Sequence, residues 1–352
     1  PQQYAHQRTS AEAGWDITTG GGASPIKIAI VGQGIELTHP DLQGNIVAGY
    51  DFYDGDNDPN PGNLGSNSEE NHETEVAGCA AAVTNNALGV AGVCWGCKIM
   101  PLRVGVVSYS SINVSQAIDY AVANGAKVVS MSFSTNSPVS FGPDTAVETT
   151  INSGYTAGVV MVAAAGNEST GQIRYPGALT NVIAVGSTDS LDRRSEFSTF
   201  GSWVDVSAPG TTVHTTILTS QGSYATPQGT SFSTPYVAGL AGLLFSKDPV
   251  LTPTDVRMRI EYSADHLPTD HFIGGRVNIS RALSLNATPD LYAIIKSPDH
   301  FTTAGGSNVV ISGTALGDSY VLESKPVGGS TWTQFASGPQ TINGVLGTLD
   351  AT

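Results

Sequence analysis

Basic residues are scarce in this chain of 352 residues: 15 Lys and Arg stand against 30 Asp and Glu, for a formal charge of −15. With a pI near 4.6, that balance excludes polyanions as natural partners, so neither nucleic acid nor an anionic membrane surface is expected. Charged residues of both signs reach only 13% while 40% are apolar, which excludes a disordered chain and predicts a compact one. Cys79, Cys94 and Cys97 are too few for a disulfide scaffold. One structural bridge and one leftover thiol are expected, with the pairing open. A "CWGC" redox pair would want a helix after its first cysteine, but the strand-like "KIMPLRV" follows, so a structural role is expected. No apolar run approaches the ~18 residues of a membrane span. The longest, Gly158–Gly166 and Tyr236–Phe245, read as a buried strand and a core helix. The opening "PQQYAHQ" shows no signal peptide, so the expectation is a chain that begins after processing or was never exported.

What is present is an alternation. "IKIAIV", "KIMPLRV", "KVVSMSFS", "GVVMVAAAG" and "NVIAVGS" read as buried strands. Between them "SSINVSQAIDYAVANGA" reads as a helix opened by a Ser cap and closed at Gly125, with Ile112, Val114, Ile118 and Ala121 on its apolar stripe. "GTSFSTPYVAGLAGLLFSKD" and "TPTDVRMRIEYSA" read as later helices, the second opened by Thr254 or Asp255 beside Pro253. The spacing predicts an α/β fold, a doubly wound and mostly parallel sheet of seven or so strands flanked by helices. After residue 285 the helix signals stop. "NVVISGTAL", "SYVLESKP" and "STWTQFAS" alternate with the two-residue period of antiparallel strands. Two units follow: 1–285, and a β-rich segment 286–352 that is expected to be part of a β-sandwich module. "GVLGTLDAT" offers no obvious closing strand, which suggests a fragment of a longer protein.

In a doubly wound sheet, chemistry sits beyond the carboxyl ends of the strands. "GTSFSTPYVAG" places Ser231 between a glycine turn and an apolar helix, where developing negative charge is favoured. Serine is also a common helix cap, so placement alone does not decide its role. The whole segment, however, resembles the nucleophile segment of the subtilisin-like serine peptidases, with Ser231 as nucleophile and Pro235 after the first turn. "VVMVAAAGNES" is similar to the family's oxyanion strand, which makes Asn167 a donor to a tetrahedral oxyanion and Gly166 a substrate contact. "VVSMSFS" and "VVSYSS" look like the two edges that hold an extended substrate, through Ser132, Phe133 and Ser134 on one side and Ser108 and Tyr109 on the other.

The resemblance makes His72 of "NHETEVAG" the general base. Its neighbours depart from the family, which has Gly where Glu73 stands and a small or imidazole-bearing residue where Glu75 stands. Both carboxylates are expected to crowd the cleft and raise the proton affinity of the imidazole. "HETE" is no zinc motif, because Val76 stands where a second His is needed. "IAIVGQGIELTHPDL" is similar to the family's first signature, yet Gly32 occupies the position of the aspartate that orients the histidine. Loss of that group lowers turnover by ~10⁴. The expectation is therefore a serine endopeptidase that is strongly attenuated or inactive. The alternatives are a fully active peptidase with a substitute carboxylate, and a pseudopeptidase that binds polypeptide without cleaving it.

The resemblance also implies structural calcium. "AVTNNALGVAG" would supply Asn86 and the carbonyls of Thr84, Leu88 and Val90, with Asp41 and Gln2 or Gln3 completing an all-oxygen set. A second acidic loop, with Asp54, Asp56 and Asp58, reads equally as a calcium site or a solvated loop; it is not an EF-hand. A secreted or cell-surface monomer acting on polypeptide is expected.

Overall fold

A computed structural model describes residues 3–62, 72–134, 144–267, 273–287, 292–297, 308–316, 318–325, 331–339 and 341–350. Two short helices, α1 (Tyr4–Arg8) and α2 (Ala11–Trp15), precede the sheet. Eight strands form it: β1 (Lys27–Gly32), β2 (Tyr50–Asp51), β3 (Lys98–Arg103), β4 (Ala126–Met131), β5 (Val160–Ala164), β6 (Val182–Thr188), β7 (Val206–Pro209) and, after the small hairpin of β8 (Thr215–Thr216) and β9 (Tyr224–Ala225), β10 (Gly275–Arg276). Their order is β10-β7-β6-β5-β4-β1-β3-β2, and every pairing is parallel. The order reverses at β1, which lies between β3 and β4 although both follow it in the chain. In sheets of this kind, ligands bind beyond the carboxyl ends of the strands at such a switch point.

Helices α3 (His72–Ala81), α4 (Ser111–Ala123), α5 (Thr145–Thr156), α6 (Thr230–Lys247), α7 (Pro253–Ser263) and α8 (Ile279–Ser284) connect or cover the sheet. The central strands are apolar on both faces because both faces are covered: Ile28 and Ile30 pack with α3 and α6, while Ala29 and Val31 pack with α4. Helix α6 is apolar all round and buried from Thr230 to Phe245, as a helix crossing the middle of the core must be.

Three sequence expectations need correction. Ile112 is exposed at the start of α4; the buried stripe is Val114, Ala117, Ile118 and Ala121. Helix α7 is capped by Thr252 in a capping box with Asp255, with Pro253 at its first turn, so neither Thr254 nor Asp255 is the cap. The tail does have a late strand. Beyond β11 (Tyr292–Ser297), β12 (Val309–Leu316), β13 (Tyr320–Ser324) and β14 (Thr333–Gly338) runs β15 (Thr341–Leu349), antiparallel to β12. Its glycines hid it from the hydrophobic pattern. The cysteines resolve as a Cys94–Cys97 disulfide and a buried free Cys79.

Candidate active site

The carboxyl ends of β1, β4 and β5 meet the N-termini of α3 and α6. Ser231, the second residue of α6, is 7% exposed. Its Oγ donates to the Ser132 carbonyl at 3.0 Å, and Ser132 Oγ donates back to the Ser231 carbonyl at 2.9 Å. This reciprocal pair ties the helix start to the end of β4. Ser132 thus has a side-chain role that its reading as a backbone substrate contact missed.

At the end of β5, Gly166 has φ of 102°, a conformation that favours glycine. It turns the chain just before Asn167, whose side chain reaches the start of α6. Asn167 Oδ1 accepts from the N–H and the hydroxyl of Thr230, each at 2.9 Å. With the oxygen so engaged, Nδ2 is left as the donor, 3.4 Å from where a Cβ on Gly229 would lie. Thr230, unremarked in the sequence except as part of the motif, is what fixes the amide. Tyr109 and Phe133 meet edge to face, ring centroids 4.9 Å apart, and Gly105 bridges antiparallel to Tyr109. The two segments expected to flank an extended chain, 108–109 and 132–134, are therefore brought together; Ser134 Oγ also approaches Gly166.

His72 begins α3, which packs against α6 and β1. Its ring lies 5.8 Å, centroid to centroid, from Phe232, the neighbour of Ser231. Its Nδ1–H donates to Glu73 Oε1 at 2.8 Å. The other carboxylate oxygen, Oε2, accepts from the Gln33 backbone N–H at 2.8 Å. The Glu73 side chain is 1% exposed. A Cβ added to Gly32 would sit 2.1 Å from Glu73 Oε1 and 2.2 Å from its Cδ. The carboxylate of Glu73 thus occupies the space that a side chain at residue 32 would fill.

Burial works against the charged form of His72, but the charge and hydrogen bond of Glu73, with the charge of Glu75, outweigh it and raise the imidazole's pKa. Glu75 itself is pushed up to about 7, chiefly by burial; His72 pulls the other way and Glu73 adds to the rise.

Asp41 is fully buried, and among the described residues no ion pair reaches it. Its carboxylate accepts from Val90 N–H at 2.8 Å and from Asn86 Nδ2 at 2.7 Å, and bonds the Tyr224 hydroxyl. A buried carboxylate with only neutral partners suits a hard cation, and the carbonyls of Thr84, Leu88 and Val90 accept no hydrogen bond among the described residues. The side-chain amides fit less well: Asn86 Oδ1 accepts from Leu88 N–H at 3.0 Å and Gln3 Oε1 from Ala91 N–H at 2.9 Å. Gln2 lies outside the described residues. In the second acidic loop, Asp54 and Asp51 both pair with buried Arg103 at 2.5 Å.

A serine at a buried helix start, an amide held by Thr230 and a carboxylate-held imidazole at the start of a second helix are residue types that a serine hydrolase uses, and they lie beside the carboxyl ends of a parallel sheet. Comparison with known proteins makes the class specific: the profile described as "Subtilase family" matches residues 23–287, and this chain belongs to that family. Thermitase from Thermoactinomyces vulgaris is 41% identical over 286 residues, covering 80% of this chain and 96% of the relative. Subtilisin from Bacillus pumilus is 37% identical over 270 residues, covering 74% and 91%. Among solved structures, a protease from Pseudoalteromonas arctica PAMC 21717 superposes with a TM-score of 0.72 at 29% identity, covering 80% of this chain and 96% of that one.

Proposed function

We propose that this chain is a working serine endopeptidase rather than a polypeptide-binding relic. The observation that carries the reading is the 2.8 Å hydrogen bond from His72 Nδ1 to a buried carboxylate. A neutral imidazole whose proton is pinned on Nδ1 presents the lone pair of Nε2, the state a general base needs. His72 takes the proton of Ser231 as its Oγ attacks the scissile carbonyl. Asn167 Nδ2 receives the negative charge that develops on the carbonyl oxygen. His72, then protonated, returns the proton to the leaving amine.

Substrate lies extended between residues 108–109 and 132–134, held by main-chain hydrogen bonds, with Gly166 beside it. Such recognition suits a secreted or cell-surface enzyme acting as a monomer on unfolded polypeptide. Asp41 and the carbonyls of Thr84, Leu88 and Val90 would hold structural calcium, which stabilises the loop and takes no part in the chemistry. The raised pKa of His72 sets the acid limb of activity above that of an ordinary imidazole, because only the neutral form serves as base.

The test is hydrolysis of unfolded casein by the full chain beside a Ser231→Ala control. Turnover lost in the control supports the peptidase reading. Binding without turnover in both would establish the pseudopeptidase instead.

A further inference from the structure

We infer that the orienting acid of this site has moved from the strand to the helix: Glu73, beside the base on α3, holds His72, and Gly32 is the clearance that lets it do so. The inference rests on the peptidase reading for its kinetic consequences, but its structural content stands apart from turnover.

Three observations converge. Residue 32 ends β1, where the resemblance expects the aspartate, yet Gly32 lies outside the positive-φ glycines, which include Gly34 at 102°. Its backbone therefore gives no reason for glycine; the reason is space. That space is filled, since any Cβ there would fall within 2.1–2.7 Å of the Glu73 carboxylate and Cγ. Finally, the carboxylate is held at both ends, by His72 Nδ1–H and by the N–H of Gln33, the residue that follows Gly32.

Chain geometry explains the exchange of residue types. Glu73 is the second residue of a ten-residue helix, where a negative charge is favoured by the helix dipole. From there the side chain must reach back to the strand end, and the extra methylene of glutamate over aspartate supplies the reach. Acid and base now sit on adjacent residues of one helix, so they move as one body relative to the nucleophile on α6. Two of the three departures from the family, Gly32 and Glu73, are thus two halves of one change.

Reciprocal exclusion gives the inference its test. Glu73→Gln keeps the shape and removes the charge; kcat is expected to fall by about 10³–10⁴ with KM nearly unchanged. The acid limb of the pH–rate profile should move to lower pH, because the main group raising the imidazole's pKa is gone. Gly32→Ala, one methyl, should displace the carboxylate and cost most of the same activity. Gly32→Asp alone should also lose activity, since two carboxylates compete for one space. Gly32→Asp combined with Glu73→Gly should recover activity to within about tenfold of native, a strong positive coupling between touching sites.

A readout independent of turnover accompanies these. The His72 titration followed by NMR should show a pKa that falls in Glu73→Gln. If native protein is inert but the titration shifts as stated, the peptidase reading fails and the acid assignment survives. If Glu73→Gln keeps activity within tenfold of native, or leaves the His72 titration unchanged, the relocation is wrong.

Discussion

Two glycines end two neighbouring regions of the site, and they are there for different reasons. Gly166 closes β5 in a positive-φ turn that aims Asn167, and its neighbours crowd it: Glu168 Oε2 would lie 2.6 Å from a Cβ. Gly32 closes β1 with no such turn, and the space beside it belongs to a side chain 41 positions further along the sequence. One glycine serves the backbone it belongs to. The other serves a residue elsewhere. A substitution that looks like the loss of a catalytic group can be the making of room for it, and only the third dimension tells the two apart.

Perturbing the two ends separately sharpens that contrast. After Glu73→Gln itself, the largest effect is expected at Asn167→Ala, which should lower kcat by about 10²–10³ while leaving KM and the pH profile in place. That would separate an oxyanion donor from Glu73, whose loss moves the profile. Next comes Glu75→Gln, read by denaturant unfolding. The Glu75 pKa is raised from 4.5 to about 7, so its contribution to stability is complete below pH 4.5 and is lost as pH rises through 7. The variant should match native at pH 4 and be more stable by about 3 kcal/mol at pH 8–9. No difference at high pH would mean that Glu75 is better solvated than its burial indicates. Calcium removal touches neither strand end: chelation should lower Tm, by an amount equivalent to ~2.7 kcal/mol when the ion had been present at a hundred times its Kd. An unchanged Tm would count against Asp41 as a ligand. The smallest effect is expected at Gly166→Ala, about 1–2 kcal/mol of stability, the cost of a Cβ in the left-handed region. If that variant were neutral, the two glycines would not differ as described.

Much of the fold was legible in the sequence. The five buried strands are apolar enough on both faces to be found by composition, and α6 announces itself through its unbroken apolar run. Strand β15 was not, because glycines interrupt its alternation, and Ile112 misled because a first-turn residue can face solvent while fitting the helical period. At the site, Ser231, His72 and Asn167 stand in contiguous motifs, so their places at the starts of α6 and α3 and just after β5 could be expected from the sequence. Glu73 was visible too, but adjacency to the base suggested crowding. What makes it an orienting group is the approach of the α3 start to the end of β1, where Gln33 N–H meets a carboxylate 40 positions away. Glu73 and Glu75 looked alike as two carboxylates beside one histidine. Folded, one is hydrogen-bonded to the imidazole and the other acts on it through charge alone.

The central claim, that Glu73 makes His72 a competent base for Ser231, is tested most directly by the rate of covalent labelling of Ser231 with a fluorophosphonate at pH 8, native against Glu73→Gln. The account predicts labelling of the native chain that is slowed by about 10³–10⁴ in the variant. Equal rates in the two proteins, or no labelling of the native chain, would contradict it.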